Sequence, residues 1–471
     1  MDVKATNVVF GMFAIASVLS LAQGMPTPPA PAPSPQEIVI PQQVRPLSGQ
    51  LDTIPTFNSN SPELVQTEGI LLSTFPQNGM AQPAAHLNFG FNGRFDLFAH
   101  HVFRAIDADH TSLYIGVILY NPSTQPVTVD VLQAASYLSQ PDAPFVQLPP
   151  AIENPVGQVY AGPGSRVMSD ILRGRRQDIF PAQIVLQPGS YQLLMNLPIP
   201  TTGLEPALNG RSTLARLRSS GTVYAASLAL LGRRAADGSE QAPSLNDWIA
   251  LLQTGGLAGE RDRAPTPPDQ GGQIIYGRVA GVAQGSRWQA QLTDQPGGDA
   301  LQIPAPGTAY SYALSTLRGG RMGTNQVQAA PMLVRYPDTG YEANGNYAIE
   351  YNLTLPLVNP TAEPQRVSIA VQTPIKEDEL SRGGLRFFDP LPTQTFFRGT
   401  VRLRYVDDRN LPQTLYVHLV QRRGDRSVPL VELNMAPGTR RLVSVDFLYP
   451  PDATPPQVLT VTTANNSAPA Q

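Results

Sequence analysis

The sequence predicts a mainly β protein, two immunoglobulin-like antiparallel β-sandwich domains joined by a linker with one short helix. Apolar residues alternate with polar ones at a period of two in several separated stretches. The 48 prolines and 39 glycines supply turns at short intervals. Charged residues are only 15% of the chain, against about 25% in an average globular protein, a balance that suits short strands and disfavours long helices. With 471 residues the chain can bury more than one core.

Taken in order, the elements begin with an export signal. Lys4 precedes the apolar run Val8 to Leu19, closed by Ser20-Leu21-Ala22. That run is shorter than the ~20 residues of a membrane-spanning helix, and it predicts a secretory signal peptide over 1–22, cleaved after Ala22 or alternatively after Gly24. No later stretch is long and apolar enough to span, so no transmembrane helix is expected once the signal is removed. Residues 23–62 are expected to be a Pro-rich spacer, because the prolines of Met25 to Pro35 fix φ and remove backbone donors.

The first sandwich is placed at 63–232. Leu113, Ile115, Val117 and Leu119 share one strand face and Val127, Val129 and Val131 another, which predicts a strand pair around Asn121-Pro122-Ser123-Thr124-Gln125-Pro126. The second sandwich, at 273–462, repeats the device with Leu353, Leu355 and Leu357, the turn Asn359-Pro360-Thr361-Ala362-Glu363-Pro364, then Val367, Ile369 and Val371. Pro188-Gly189 and Pro437-Gly438 follow in the same order, each near an apolar run, and together the matches suggest a diverged internal duplication. Between the halves, 233–272 is polar and rich in Gly and Pro, with one ordered island. Ser244 caps a helix over 245–254, Asp247 stands three residues on, Leu245, Trp248, Ile249 and Leu252 form the apolar stripe, and Gly255 ends it. Residues 463–471 are expected to be a disordered tail.

The runs Pro243-Ser244-Leu245-Asn246-Asp247-Trp248, Gly259-Glu260-Arg261-Asp262 and Pro265-Thr266-Pro267-Pro268, with Tyr276-Gly277-Arg278-Val279-Ala280-Gly281-Val282-Ala283 and Gly285-Ser286-Arg287-Trp288, carry a family likeness. The chain resembles an uncharacterised family of secreted cyanobacterial proteins over most of its mature length. The resemblance implies a cyanobacterial envelope or exported protein and supplies no catalytic residue.

The absence of cysteine excludes disulfides, thiolate metal sites and a Cys nucleophile. A net charge of -3 gives no overall field for nucleic acid, so no nucleic-acid partner is expected. Phosphate-binding, zinc-protease, nucleophile-elbow and dinucleotide signatures are missing, and no cofactor is expected.

Four of the five histidines fall between His86 and His110. His101 and His110 with Asp107 and Asp109 have the donor chemistry of a divalent metal site. Against that, His101 shares a strand side with Phe95, Leu97, Ala99 and Phe103 and is expected buried and hydrogen-bonded. Arg173, Arg175 and Arg176 could pair with carboxylates of an acidic polysaccharide, and Trp288 could serve as a sugar-stacking platform.

The functional expectation is an exported, non-enzymatic envelope or extracellular protein acting through interaction surfaces, located in the periplasm, on the outer cell surface or outside the cell. Its partners would be envelope polysaccharide or other envelope proteins. One alternative is a binding module for acidic surface polysaccharide, and a second is a carboxylate- or metal-dependent hydrolase.

Overall fold

The computed structural model describes residues 34–235 and 237–465. The expected signal peptide, most of the Pro-rich run and the final residues of the expected tail lie outside the described residues.

The alternating stretches are strands, and the faces assigned to the core are buried. Leu353, Leu355 and Leu357 lie within Glu350–Val358, Val367, Ile369 and Val371 within Gln365–Gln372, and all six share one core. Each strand sits in a different sheet, however. Glu350–Val358 pairs with Arg440–Leu448 in an eight-stranded sheet, whereas Gln365–Gln372 pairs with Val431–Met435 and Gln457–Thr463 in a five-stranded one. The Asn359 turn is therefore an arch between the layers of a sandwich and not a hairpin. The reason is geometric: both flanking strands turn their apolar faces toward the same core, which two facing sheets satisfy.

The first half repeats this arrangement. Ser112–Tyr120 pairs with Tyr191–Pro200, Val127–Leu138 pairs with Gln183–Leu186, and the two strands again do not pair with each other. The 24-residue strand Leu208–Leu231 joins the two layers. Residues 208–219 pair with Phe91–Arg104 and Val127–Leu138, while residues 224–231 pair with Ser112–Tyr120. The register breaks between Ser219 and Val223, where the strand passes from one layer to the other.

Two short helices complete the frame. The first, α1 (Pro163–Leu172), begins with proline at its first turn and buries Val167, Met168, Ile171 and Leu172 against Phe98, Leu214, Ala348 and Leu448, residues from both halves. The second, α2 (Leu245–Thr254), has the expected bounds and the reciprocal Ser244–Asp247 capping box. Its Trp248 packs into a core with Ile118 and Leu228, over Gly116, where a Cβ would stand 2.5 Å from the indole.

Two expectations need correction. The segment expected as spacer is extended chain built into sheets from Gln36 onward. Gln36–Ile40 pairs with Leu385–Asp389, Gln43–Arg45 with Ala309–Leu314, Gln50–Leu51 with Arg287–Gln291 and Pro55–Ser59 with Ala280–Gln284. Leu47 and Phe57 are buried, and their burial offsets the entropy of ordering this stretch.

The boundary at 233–272 is also crossed. Ala280–Gln284 joins the twelve-stranded sheet of the first half, Ala151–Glu153 joins the eight-stranded sheet of the second, and the chain from Pro35 onward forms one compact unit. Limited proteolysis should accordingly nick the exposed Arg233–Gln241 region, giving two bands on a denaturing gel that still migrate as one particle in size exclusion. Separation of the two pieces without denaturant would contradict the shared sheets.

Candidate functional site

Strand alternation builds one wall of a cavity. In Pro55–Ser59, Phe57 enters the core and Ser59 meets His101, so Asn58 takes the other face, and Asn60 shares that face. Both asparagines are buried, and each buries an amide oxygen that has no hydrogen-bond partner. They line a cavity of about 330 Å³. A second cavity, of about 290 Å³, adjoins it, with Tyr276 and Asn344 forming walls of both.

Charge is arranged unevenly around the first cavity. Arg278 is ion-paired with Glu63 and with Asp262 at 3.2 Å. Burial acts to raise the Glu63 carboxyl, yet His100 and Arg278 hold it below the ordinary range. His100 reaches Glu63 at 3.5 Å and shares a hydrogen bond with Ser212 at 2.8 Å.

Lys376, one of only two lysines in the sequence, is exposed and has no carboxylate partner among the described residues. Its ammonium donates to the Tyr276 hydroxyl at 3.0 Å and lies 4.7 Å from that ring's centre. The hydroxyl in turn donates to the Arg318 carbonyl at 2.8 Å, which fixes the ring and, through it, the cation. The cavity wall thus holds two unpartnered asparagine amides and a positioned cation.

The residues singled out from sequence are not gathered there. His101 is buried, with both ring nitrogens engaged, Nε2 with Ser59 Oγ and Nδ1 with the Pro62 carbonyl, each at 2.9 Å. His110 is half-buried and pairs with Asp107 at 3.0 Å, while Asp107 also accepts from the Asp109 backbone amide at 2.8 Å. Among the described residues no three His, Asp or Glu side chains converge on a point that could hold a metal ion.

The arginines following α1 brace a loop. Arg173 donates to the Asn154 and Pro155 carbonyls and stacks 3.8 Å from the Tyr416 ring centre. Arg175 bonds Asp170 and the Val156 carbonyl, both at 2.8 Å, and Arg176 bonds the Phe180 carbonyl. Trp288 is 5% exposed, stacks on Tyr351 and donates to the Ser48 carbonyl, so it is core and not a platform. Sequence reasoning passed over the cavity residues. Lys376 carried one signal, a lone lysine in a chain whose other basic residues beyond the leader are arginine.

Burial pushes both His101 and His418 down to about 4. Unfolding exposes them to their ordinary value near 6.5, so the unfolded chain binds more protons between pH 4 and 6.5 and stability falls as pH drops through that window. The melting temperature should be a few degrees lower at pH 5 than at pH 7, and His101→Gln should flatten that slope. A slope unchanged in the variant would show that His101 does not carry it.

Fold and site together define a mainly β protein of several sheets with a double cavity, and among the described residues no helix is long and apolar enough to cross a membrane. The chain belongs to the family described as Protein of unknown function (DUF3370), whose model matches residues 42–463. No curated protein matches the chain. Among solved structures it is similar to Lac15 from a marine microbial metagenome at 10% identity, covering 81% of this chain and 54% of that one, with a TM-score of 0.11. It thus spans about half the length of that protein. A second likeness, to procruciferin, an 11S globulin from Brassica napus, has 9% identity, coverage of 88% and 85%, and a TM-score of 0.09. Likenesses this slight carry no argument about fold or activity.

Proposed function

We propose that the chain is an exported, non-enzymatic protein of the cell envelope or its surroundings that works by binding a ligand in the cavity of Asn58, Asn60 and Lys376. The observation that supports it best is the pair of buried asparagine amides in the cavity wall that make no hydrogen bond, since an unmet buried polar group costs about 1–3 kcal/mol and a ligand that bonds it recovers this. Export rests on the leader read from the sequence, and the frame of shared sheets suits a pre-formed site.

The full chain should sediment with envelope material from its own cells. Asn344→Trp, which adds bulk to a wall common to both cavities, should abolish that while leaving the melting temperature within a few degrees. Equal sedimentation of the variant would remove the cavity from the function.

A further inference from the structure

We propose that the double cavity is a site for an acidic saccharide, with hydroxyls of the sugar bonding the side-chain amides of Asn58 and Asn60 and a carboxylate of the same ligand meeting Lys376. This rests on the binding reading above and names the class of ligand.

Three features lead to it. First, the side-chain amides of Asn58 and Asn60 are buried in the cavity wall with no hydrogen-bond partner; a hydroxyl-rich ligand can meet both on one face, whereas a purely apolar ligand meets neither. Second, the cation is left over. Arg278 is already neutralised by Glu63 and Asp262, and other cationic side chains near the second cavity are committed, Arg321 to Asp378 and Arg318 to the carbonyls of Thr266, Pro267 and Pro268.

Lys376 alone of these has neither a carboxylate nor a carbonyl, and Tyr276 orients it. A single ammonium asks for a single carboxylate. Third, the shape is bipartite. Two lobes of similar size share the Tyr276 wall, the arrangement that linked rings require.

The test titrates the full chain calorimetrically with a panel of uronate disaccharides and their neutral twins of the same linkage, for example cellobiouronic acid against cellobiose. At least one uronate should bind about tenfold more tightly than its twin, as expected for one charge-assisted contact. Lys376→Met, an exposed substitution, should bring the pair level, and Asn60→Leu should weaken both by about tenfold or more.

Equal affinity for acidic and neutral twins overturns the proposal, as does a preference that survives Lys376→Met. Should Asn60→Leu fail to fold, Asn344→Trp takes its place, and binding untouched by it overturns the assignment of the site. If no disaccharide binds but envelope sedimentation is still lost in Asn344→Trp, the saccharide class fails and the binding function stands. If neither occurs, both fail.

Discussion

Arg216→Met should destabilise the protein by about 3–5 kcal/mol, read as a fall in the urea midpoint at constant slope. Arg216 is 7% exposed and stands between two buried carboxylates of different halves, 3.6 Å from Asp96 and 2.7 Å from Glu350. The chain of charges continues on both sides. Arg94 reaches Asp96 at 3.0 Å, Arg287 reaches Glu350 at 3.3 Å, and the Asn352 amide donates to Glu350 and to Asp446, each at 2.8 Å. Asp446 is paired in turn with Arg402 and Arg404.

Burial raises the Asp96 carboxyl in spite of Arg216 and Arg94, and it acts to raise Glu350 too, which Arg216, Asn352 and Arg287 together hold below its ordinary range. Removing the central guanidinium leaves two carboxylates out of water with one fewer partner each. Methionine matches the stem but supplies no donor. A triple variant with Asp96→Asn and Glu350→Gln should recover much of the loss, because the stranded charges leave with their partner. By contrast, Arg233→Ala, which breaks the exposed pair with Asp247, should cost under about 1 kcal/mol. A loss below about 1 kcal/mol for Arg216→Met would mean that the two carboxylates are solvated or protonated without it.

What the sequence disclosed follows from how local each signal is. Faces of Leu113 to Leu119 and Leu353 to Leu357 need only side-chain period, and the α2 helix only a cap, a stripe and a stop; all were legible. Helix α1 was not, because its start has a glycine before Pro163 and no side-chain cap. The strand Leu208–Leu231 is masked in the sequence because Arg211, Arg216 and Arg218 interrupt its apolar pattern. The first two of these are buried, Arg211 donating to the Pro198 carbonyl and Arg216 to Glu350. Pairing partners were beyond reach altogether. Nothing near Gln36 says that it will meet Asp389, and nothing near Asn58 says that Lys376 will close the same cavity. The Asn-Pro turns read as connections within a strand pair, and their task involves a second turn some 65 to 76 residues away.

That task yields the second large effect: Asn359→Ala should cost about 2–4 kcal/mol, and Asn121→Ala about as much. The Asn359 amide donates to the Glu363 carbonyl within its own arch at 2.9 Å and to the Met435 carbonyl at 2.8 Å, while its oxygen accepts from the backbone and hydroxyl of Thr361. Its main chain bonds Gly438 and Thr439 of the Pro-Gly turn. Asn121 does the same with Gln125, Leu186 and Ser123, and its main chain with Gly189 and Ser190.

Both side chains are fully buried, so alanine strands carbonyls and amides that water cannot reach. Aspartate keeps the acceptor and loses both donors, and Asn359→Asp should therefore remain close to the alanine variant and not to wild type. Since one residue type closes equivalent pairs of turns in each half, urea melts of Asn121→Ala and Asn359→Ala should agree within about 1 kcal/mol. A marked loss in one and none in the other would mean that the likeness of the two corners is turn chemistry reached twice and not a shared inheritance.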